Sequence, residues 1–344
     1  MTILLPRKIV TLTSLLTLLL TTNSAIATSN EFTQRAEVQQ FIEKMVNQHQ
    51  FEREPLTQLL SEAQHSDGVI KAITRPYEAK PWYKYRPIFV TDKRIKRGLQ
   101  FWQENNDTLL RAEKKYGVPP EIITAIIGVE SFYGVHKGSY RLLDSLTTLG
   151  FDYPKRGKFF RSELEHYLLM TREEAIDPRS VKGSYAGAMG KPQFISSSYR
   201  EYAVDFSDDG KRDLWENTDD AIGSVANYFR RHGWKHGAPI ASKASVNGAD
   251  YKKLIKKSLK PKKTLAQITS QGVTLTDAQS SDIPASTKAT LIELKGETNN
   301  EHWVTYRNFY AISRYNHSAL YSMAIFQIAT ALREQHNAAT AKPH

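Results

Sequence analysis

The chain reads as a mainly helical α+β protein that carries a small strand-containing subdomain. Three observations predict this class. Apolar residues recur at three- and four-residue spacing along most of the 344 positions. The chain is 40% hydrophobic and 24% charged, the balance of a globular protein long enough for two or three domains. Residues 264–296 depart from the helical pattern: they are rich in Thr and Ser, with short runs such as Lys288 to Leu294 between turn signals.

The first 27 residues stand apart. Arg7 and Lys8 precede the apolar run Ile9 to Leu20, and Ala25-Ile26-Ala27 supplies small residues for cleavage, so a signal peptide over 1–27 is expected. A retained N-terminal anchor is the alternative, but the run is short and Thr-rich for a membrane span. An N-terminal α domain over 28–80 follows, with two short helices implied by Phe32, Val38, Phe41, Ile42, Met45 and Val46. Pro76, Pro81 and Pro87 mark a loop dense in Trp82, Tyr83 and Tyr85. The central block, 81–240, opens with one long amphipathic helix from Ile95 to Lys115. It continues with a helix starting at Gly117-Val118-Pro119-Pro120-Glu121, then helices over Arg141–Leu149, Phe159–Ile176 and Asp219–His232. Residues 241–302 form the strand-containing subdomain, and 303–344 a C-terminal segment with an amphipathic helix from Ser318 to Glu334.

Charge and cysteine usage narrow the setting. The formal net charge is +11, and the leader contributes only Arg7 and Lys8 to it. Such an excess favours an anionic partner, and export makes an acidic envelope polymer a better fit than nucleic acid. Residues 243–263 hold eight lysines against one acid, a solvated face or a contact for that polymer. With no cysteine, the chain has neither disulfides nor thiolate metal sites, and no cysteine to carry a lipid. A monomer in the periplasm, without a transmembrane segment in the mature chain, is expected.

Glu130 is the most informative residue. It is the one carboxylate in the oily stretch from Ile122 to Gly134. Burial there raises a carboxyl pKa, and an acid protonated near neutral pH is what general acid catalysis needs. The alternative is a structural carboxylate that caps a helix or pairs with an Arg.

A second constellation lies between 205 and 220. Asp205, Ser207, Asp209, Asp213 and Glu216 take positions 1, 3, 5, 9 and 12 of a calcium-loop template, with Gly210 at position 6 and the Lys211 carbonyl at 7. Oxygen-only ligation points to Ca2+ in a structural role.

Five segments together resemble the lytic murein transglycosylase B family, in its membrane-bound and soluble forms. They are GVPPEIITAIIGVESFYG (117–134), LDSLTTLGFDYPKR (143–156), GSYAGAMGKPQFISSSYREYAVDFSDDG (183–210), DAIGSVANYFRRHGW (220–234) and SRYNHSALYSMAIFQ (313–327). The resemblance implies a goose-lysozyme-like helical core flanked by an α domain and a small β domain. It implies cleavage of the β-1,4 bond between N-acetylmuramic acid and N-acetylglucosamine in peptidoglycan, leaving a 1,6-anhydro end. The family's catalytic Glu falls on Glu130, and its cleft positions on Tyr85, Arg156, Ser184, Gln193, Phe194, Tyr228, Tyr315, Asn316 and Tyr321. It also implies a calcium loop whose last acidic ligand is Asp220, where the simple template names Glu216. Partners among cell-wall synthesis and division proteins accord with such an activity. Two departures stand out. Tyr133 occupies a position where the family usually has tryptophan, and Lys191-Pro192 falls near a usual glycine pair.

These segments supply no second acid opposite Glu130, since the loop from Ser184 to Phe194 has none. A one-carboxylate mechanism fits this pattern, with the substrate's N-acetyl group assisting and Glu130 acting as acid and then base. Ser184 and Gln193 suit hydrogen bonds to the acid or the N-acetyl group, the tyrosines suit sugar stacking, and Arg156 suits glycan carboxylates. A lysozyme-type hydrolase and a non-catalytic peptidoglycan-binding protein are the alternatives.

Overall fold

The computed structural model describes residues 31–75, 80–277 and 282–341; the expected signal peptide lies outside them. The chain divides into two compact units, one ending at His65 and one beginning at Ser66.

In the first unit, helices Ala36–His49 and Arg53–Ser61 pack on each other. Val38, Phe41, Ile42 and Met45 of the one, and Leu56, Leu59 and Leu60 of the other, are buried. Their spacing of three and four is the stripe that the sequence displays.

The second unit begins with the helix Asp67–Ile73, capped by Ser66 Oγ, which accepts from the Val69 N–H. The expected loop around Trp82 is instead a helix, Trp82–Phe89. Pro87 sits in its last turn, so it removes a single backbone bond near the helix end. Trp82 and Tyr85 are buried with Ile292, Leu294, Phe309 and Met323, and this burial outweighs the proline signals.

The single helix expected from Ile95 to Lys115 is two helices, Asp92–Glu104 and Asn106–Tyr116. Asn105 breaks it: the side-chain amide donates to the Phe101 carbonyl at 2.7 Å while the backbone leaves helical geometry at φ −124°. An Asn side chain that binds its own backbone competes with helix continuation.

Helix Pro120–Ser131 lies at the centre of this unit. It packs against Ala319–Thr340, Asp92–Glu104, Asn106–Tyr116 and Thr218–Arg231. Every residue from Pro120 to Gly128 is buried, as the all-round apolar sequence requires. Helices Leu142–Phe151, Gly157–Glu173, Ser196–Tyr202 and Arg307–Tyr315 complete the helical part, with a two-stranded ribbon of β1 (Tyr140–Arg141) and β2 (Lys182–Gly183).

The strand-containing subdomain is an antiparallel sheet of β3 (Ala241–Val246), β4 (Lys263–Thr264), β5 (Val273–Leu275), β6 (Lys288–Leu294) and β7 (Glu301–Thr305). The spatial order is β4-β6-β7-β3-β5. Alternation along β6 turns Ala289 and Leu291 into the subdomain core and Ile292 and Leu294 toward Trp82 and Phe309. Strand β7 runs past the expected boundary at 302, because Trp303 and Val304 pair with both β3 and β6.

Candidate active site and cation loop

Glu130 occupies the last turn of helix Pro120–Ser131, which ends because Phe132 turns left-handed at φ +50°. Tyr133 follows at φ +61°, so two consecutive non-glycine residues adopt a conformation that disfavours side chains. The double turn folds the Tyr133 ring back over the helix. A Cβ on Gly128 would lie 2.5 Å from the Tyr133 ring and hydroxyl, and one on Gly98 2.4 Å from that hydroxyl. Tyr133 Oη donates to the Arg94 carbonyl at 2.9 Å. The two glycines therefore make room for the tyrosine that holds the end of the Glu130 helix, a role the sequence pattern did not disclose.

Glu130 retains a partly exposed surface. Burial of its carboxyl group pushes the pKa up to about 7, against a lowering contribution from Tyr321. Tyr321 Oη donates to Glu130 Oε1 at 2.5 Å. Tyr321 stands in the first turn of helix Ala319–Thr340, where Ser318 Oγ accepts its backbone N–H. Burial, and then the charge of Glu130, hold the Tyr315 and Tyr321 hydroxyls well above the ordinary tyrosine range. The charge of Glu130 also contributes to raising Tyr228.

Tyr321 contacts this acid, and Tyr228 and Tyr315 lie close enough to feel its charge. Phe194, Tyr228 and Tyr315 form one aromatic wall, with ring centroids 4.7 to 5.9 Å apart. Tyr315 Oη donates to the Pro192 carbonyl and Tyr228 Oη to the Arg314 carbonyl, each at 2.5 Å. Tyr228 also meets Tyr202, Phe229 and His232, so its faces build the wall and are not free for a sugar. Tyr85 is buried between Trp82 and Phe89.

Ser184 and Gln193 shape the loop between them. Ser184 Oγ accepts the N–H groups of Ala186 and Ala188, at 3.3 and 3.0 Å. Gln193, at φ +52°, donates from its side chain to the Gly190 and Lys137 carbonyls. Asn316 Oδ1 accepts the Ser318 N–H at 3.2 Å, ahead of the Tyr321 helix. Arg156 makes its contacts elsewhere: its guanidinium lies over Phe159 and Phe160, in a cavity lined by Pro154, Lys155, Lys158 and Ser162.

Asp220 and Glu216, the two acids expected to close the 205–220 loop, lie in different surroundings. Carboxylate oxygens of Asp205, Asp209 and Asp220 lie within 4.8 Å of one another. Ser207 Oγ is 3.4 Å from Asp205 Oδ1. Asp220 is fully buried at the start of helix Thr218–Arg231 and accepts N–H bonds from Phe206, Ser207 and Asp213. Glu216 stands apart: it is exposed and paired with Lys137 Nζ at 2.6 Å. Asp213 lies outside that cluster, and its Oδ1 accepts the N–H groups of Trp215 and Glu216. Asn217 caps helix Thr218–Arg231, so Asp220 falls in its first turn, four residues after Glu216. The Lys211 N–H donates to Asp209 Oδ1 at 3.0 Å. An all-oxygen cluster of this kind suits a hard cation.

Residues 33–330 match the transglycosylase SLT domain family. The chain is 42% identical over 312 residues to the membrane-bound lytic murein transglycosylase B of Escherichia coli (strain K12), covering 88% of this chain and 84% of that protein. Among solved structures, it resembles the catenated lytic transglycosylase SltB1 of Pseudomonas aeruginosa, with TM-score 0.83 and 44% identity over 89% of this chain and 99% of that one. It also resembles the Escherichia coli lytic transglycosylase Slt35 in complex with calcium, with TM-score 0.80 and 42% identity over 89% and 96% of the two chains. The chain belongs to the lytic murein transglycosylase B family.

Proposed function

We propose that Glu130 cleaves the β-1,4 bond between N-acetylmuramic acid and N-acetylglucosamine by acting first as acid and then as base. The broader activity goes with the family: the chain is a lytic transglycosylase acting on peptidoglycan. The observation that carries the finer reading is the setting of the Glu130 carboxyl group, which accepts the Tyr321 hydroxyl at 2.5 Å and whose pKa burial pushes up to about 7.

At neutral pH a large share of Glu130 is protonated and can hand its proton to the leaving glycosidic oxygen. The C1–O4 bond breaks, and the substrate's own N-acetyl group supports the positive charge at C1, as in substrate-assisted glycosidases. Glu130 is then a carboxylate, and Tyr321 Oη, at 2.5 Å, is placed to stabilise it. The sugar 6-hydroxyl attacks C1 and its proton returns to Glu130. The enzyme ends as it began, no water is consumed, and the product is a 1,6-anhydro ring. Phe194 and Tyr315 wall the site, and Ser184 and Gln193 hold the loop beside it. Arg156, exposed and outside the wall, is assigned to carboxylates farther along the glycan.

Calcium is the proposed ion of the 205–220 loop, held by Asp205, Ser207, Asp209, the Lys211 carbonyl and Asp220, and its role is to hold the loop in place. A periplasmic setting accords with the leader and the substrate. Among the described residues, no helix is long and apolar enough to cross a membrane.

Mass spectrometry of muropeptides released from purified sacculi tests the mechanism. Products lighter by one water, with anhydro ends, are expected; free reducing ends would reassign the chain to hydrolysis.

A further inference from the structure

Lys191 touches both sites. Its backbone carbonyl accepts from Ser131 Oγ at 2.6 Å, and Ser131 directly follows Glu130. Its side chain runs in the opposite sense: Nζ donates to the Trp215 carbonyl at 2.9 Å and the Glu216 carbonyl at 2.6 Å. Its backbone N–H donates to the Leu214 carbonyl at 2.8 Å. One residue therefore holds three consecutive carbonyls at the far end of the 205–220 loop. Those residues are tied back to the acidic cluster, because Asp213 Oδ1 binds the Trp215 and Glu216 N–H groups and Asp220 Oδ2 binds the Asp213 N–H.

The surroundings are shaped for this side chain. Lys191 is buried, at 9% exposure, and its aliphatic stem passes Gly134, where a Cβ would lie 3.1 to 3.4 Å from three of its carbons. Gly134 takes φ +87° and its N–H donates to Ser131 Oγ at 3.0 Å. A buried ammonium bonded to carbonyls is costly to leave unpaired, so the Trp215–Glu216 corner and the Ser131–Gly134 turn are held in one arrangement. Lys137 reinforces the corner, with Nζ donating to the Trp215 carbonyl at 3.0 Å and paired with Glu216.

We propose that Lys191 is a positioning residue that couples the order of the 205–220 loop to the placement of Glu130, so that cation binding and catalytic turnover are linked. The coupling rests on the cation reading given above for the loop. Linkage is reciprocal for binding: whatever loosens the corner weakens the cation, and loading the cation tightens the turn that carries Glu130. A chain of contacts becomes a coupling only when perturbing both ends gives a non-additive response.

The experiment uses the full mature chain as wild type, Lys191→Met, Asp209→Asn and the double variant, each stripped with chelator and titrated calorimetrically with calcium chloride. Turnover on purified sacculi is measured with and without calcium. Lys191→Met is expected to bind calcium about tenfold more weakly, within the usual span of coupling factors. Its kcat should fall about tenfold at unchanged KM and no longer respond to calcium, and the double variant should be no slower than the slower single one. Lys191→Arg, which keeps the donors, should recover most of both losses. Calcium affinity like wild type in Lys191→Met, or kcat losses that multiply in the double variant, would overturn the coupling. A wild type that binds no calcium sinks the cation reading as well; binding lost in Asp209→Asn but kept in Lys191→Met sinks only the coupling. If Lys191→Met does not fold, the same outcomes are read in Lys191→Gln, which keeps a donor without the reach.

Discussion

Tyr321 Oη donates to Glu130 Oε1 at 2.5 Å, across 191 positions of sequence. The bond lowers the pKa of an acid that burial raises, so it sets where between acid and base the group rests.

Removing the acid should remove the activity. Glu130→Gln preserves shape and is expected to slow muropeptide release by about 10²–10⁴-fold, the usual contribution of a positioned general acid. Turbidity loss of a sacculus suspension measures it, and wild-type clearance by the variant would refute the assignment.

The same substitution should stabilise the fold in a pH-dependent way. Glu130 has its folded pKa raised from 4.5 to about 7. The stability linked to its protonated form is fully present below pH 4.5 and is lost as pH rises through about 7. Above pH 7 the ionised carboxylate costs on the order of 3 kcal/mol. Chemical denaturation should therefore find Glu130→Gln gaining on wild type between pH 4.5 and 7, and a constant difference would show that the carboxyl group is not desolvated.

Tyr321→Phe deletes the hydrogen bond while keeping the ring. The Glu130 pKa should rise further, so the alkaline limb of the kcat/KM profile moves to higher pH. The ionised state loses a charge-assisted bond, and kcat should drop by roughly tenfold or more, since such bonds contribute about 1.5–3 kcal/mol. An unmoved limb would detach Tyr321 from the acid.

Chelation should lower the melting midpoint by roughly 5 °C when calcium had been present at about 100 times its Kd. Asp220→Asn should abolish that response, whereas Glu216→Gln should leave it intact. A response lost in the Glu216 variant would restore the simpler loop template.

Gly128→Ala should be destabilising by about 1–3 kcal/mol, because its Cβ would lie 2.5 Å from Tyr133. Differential scanning calorimetry reads this, and a neutral result would mean that the Tyr133 ring has room to move.

The helical class, the sheet and the central helix were legible because they rest on periodicity and burial. Glu130 was legible as a lone charge in an apolar run. The break at Asn105 was not, since an Asn in an amphipathic pattern looks like any other polar position until its amide turns to the Phe101 carbonyl. The helix Trp82–Phe89 was hidden by its prolines and rests on contacts with residues beyond 290. The closing acid of the loop was left open between Glu216 and Asp220, since linear spacing does not show which carboxylate turns inward. Lys191 was visible only as a departure from the family pattern: nothing local discloses that its two ends reach Ser131 and Trp215.

The bond between Tyr321 and Glu130 also joins the acid to a residue made much later in the chain. A chain made from its N-terminus presents the acid long before the helix Ala319–Thr340 that completes its surroundings. Fragments cut short by stalled synthesis or by proteolysis ahead of that helix carry the acid without its partner. The hydrogen bond that tunes the acid is thus added only with the long helix that follows Ser318.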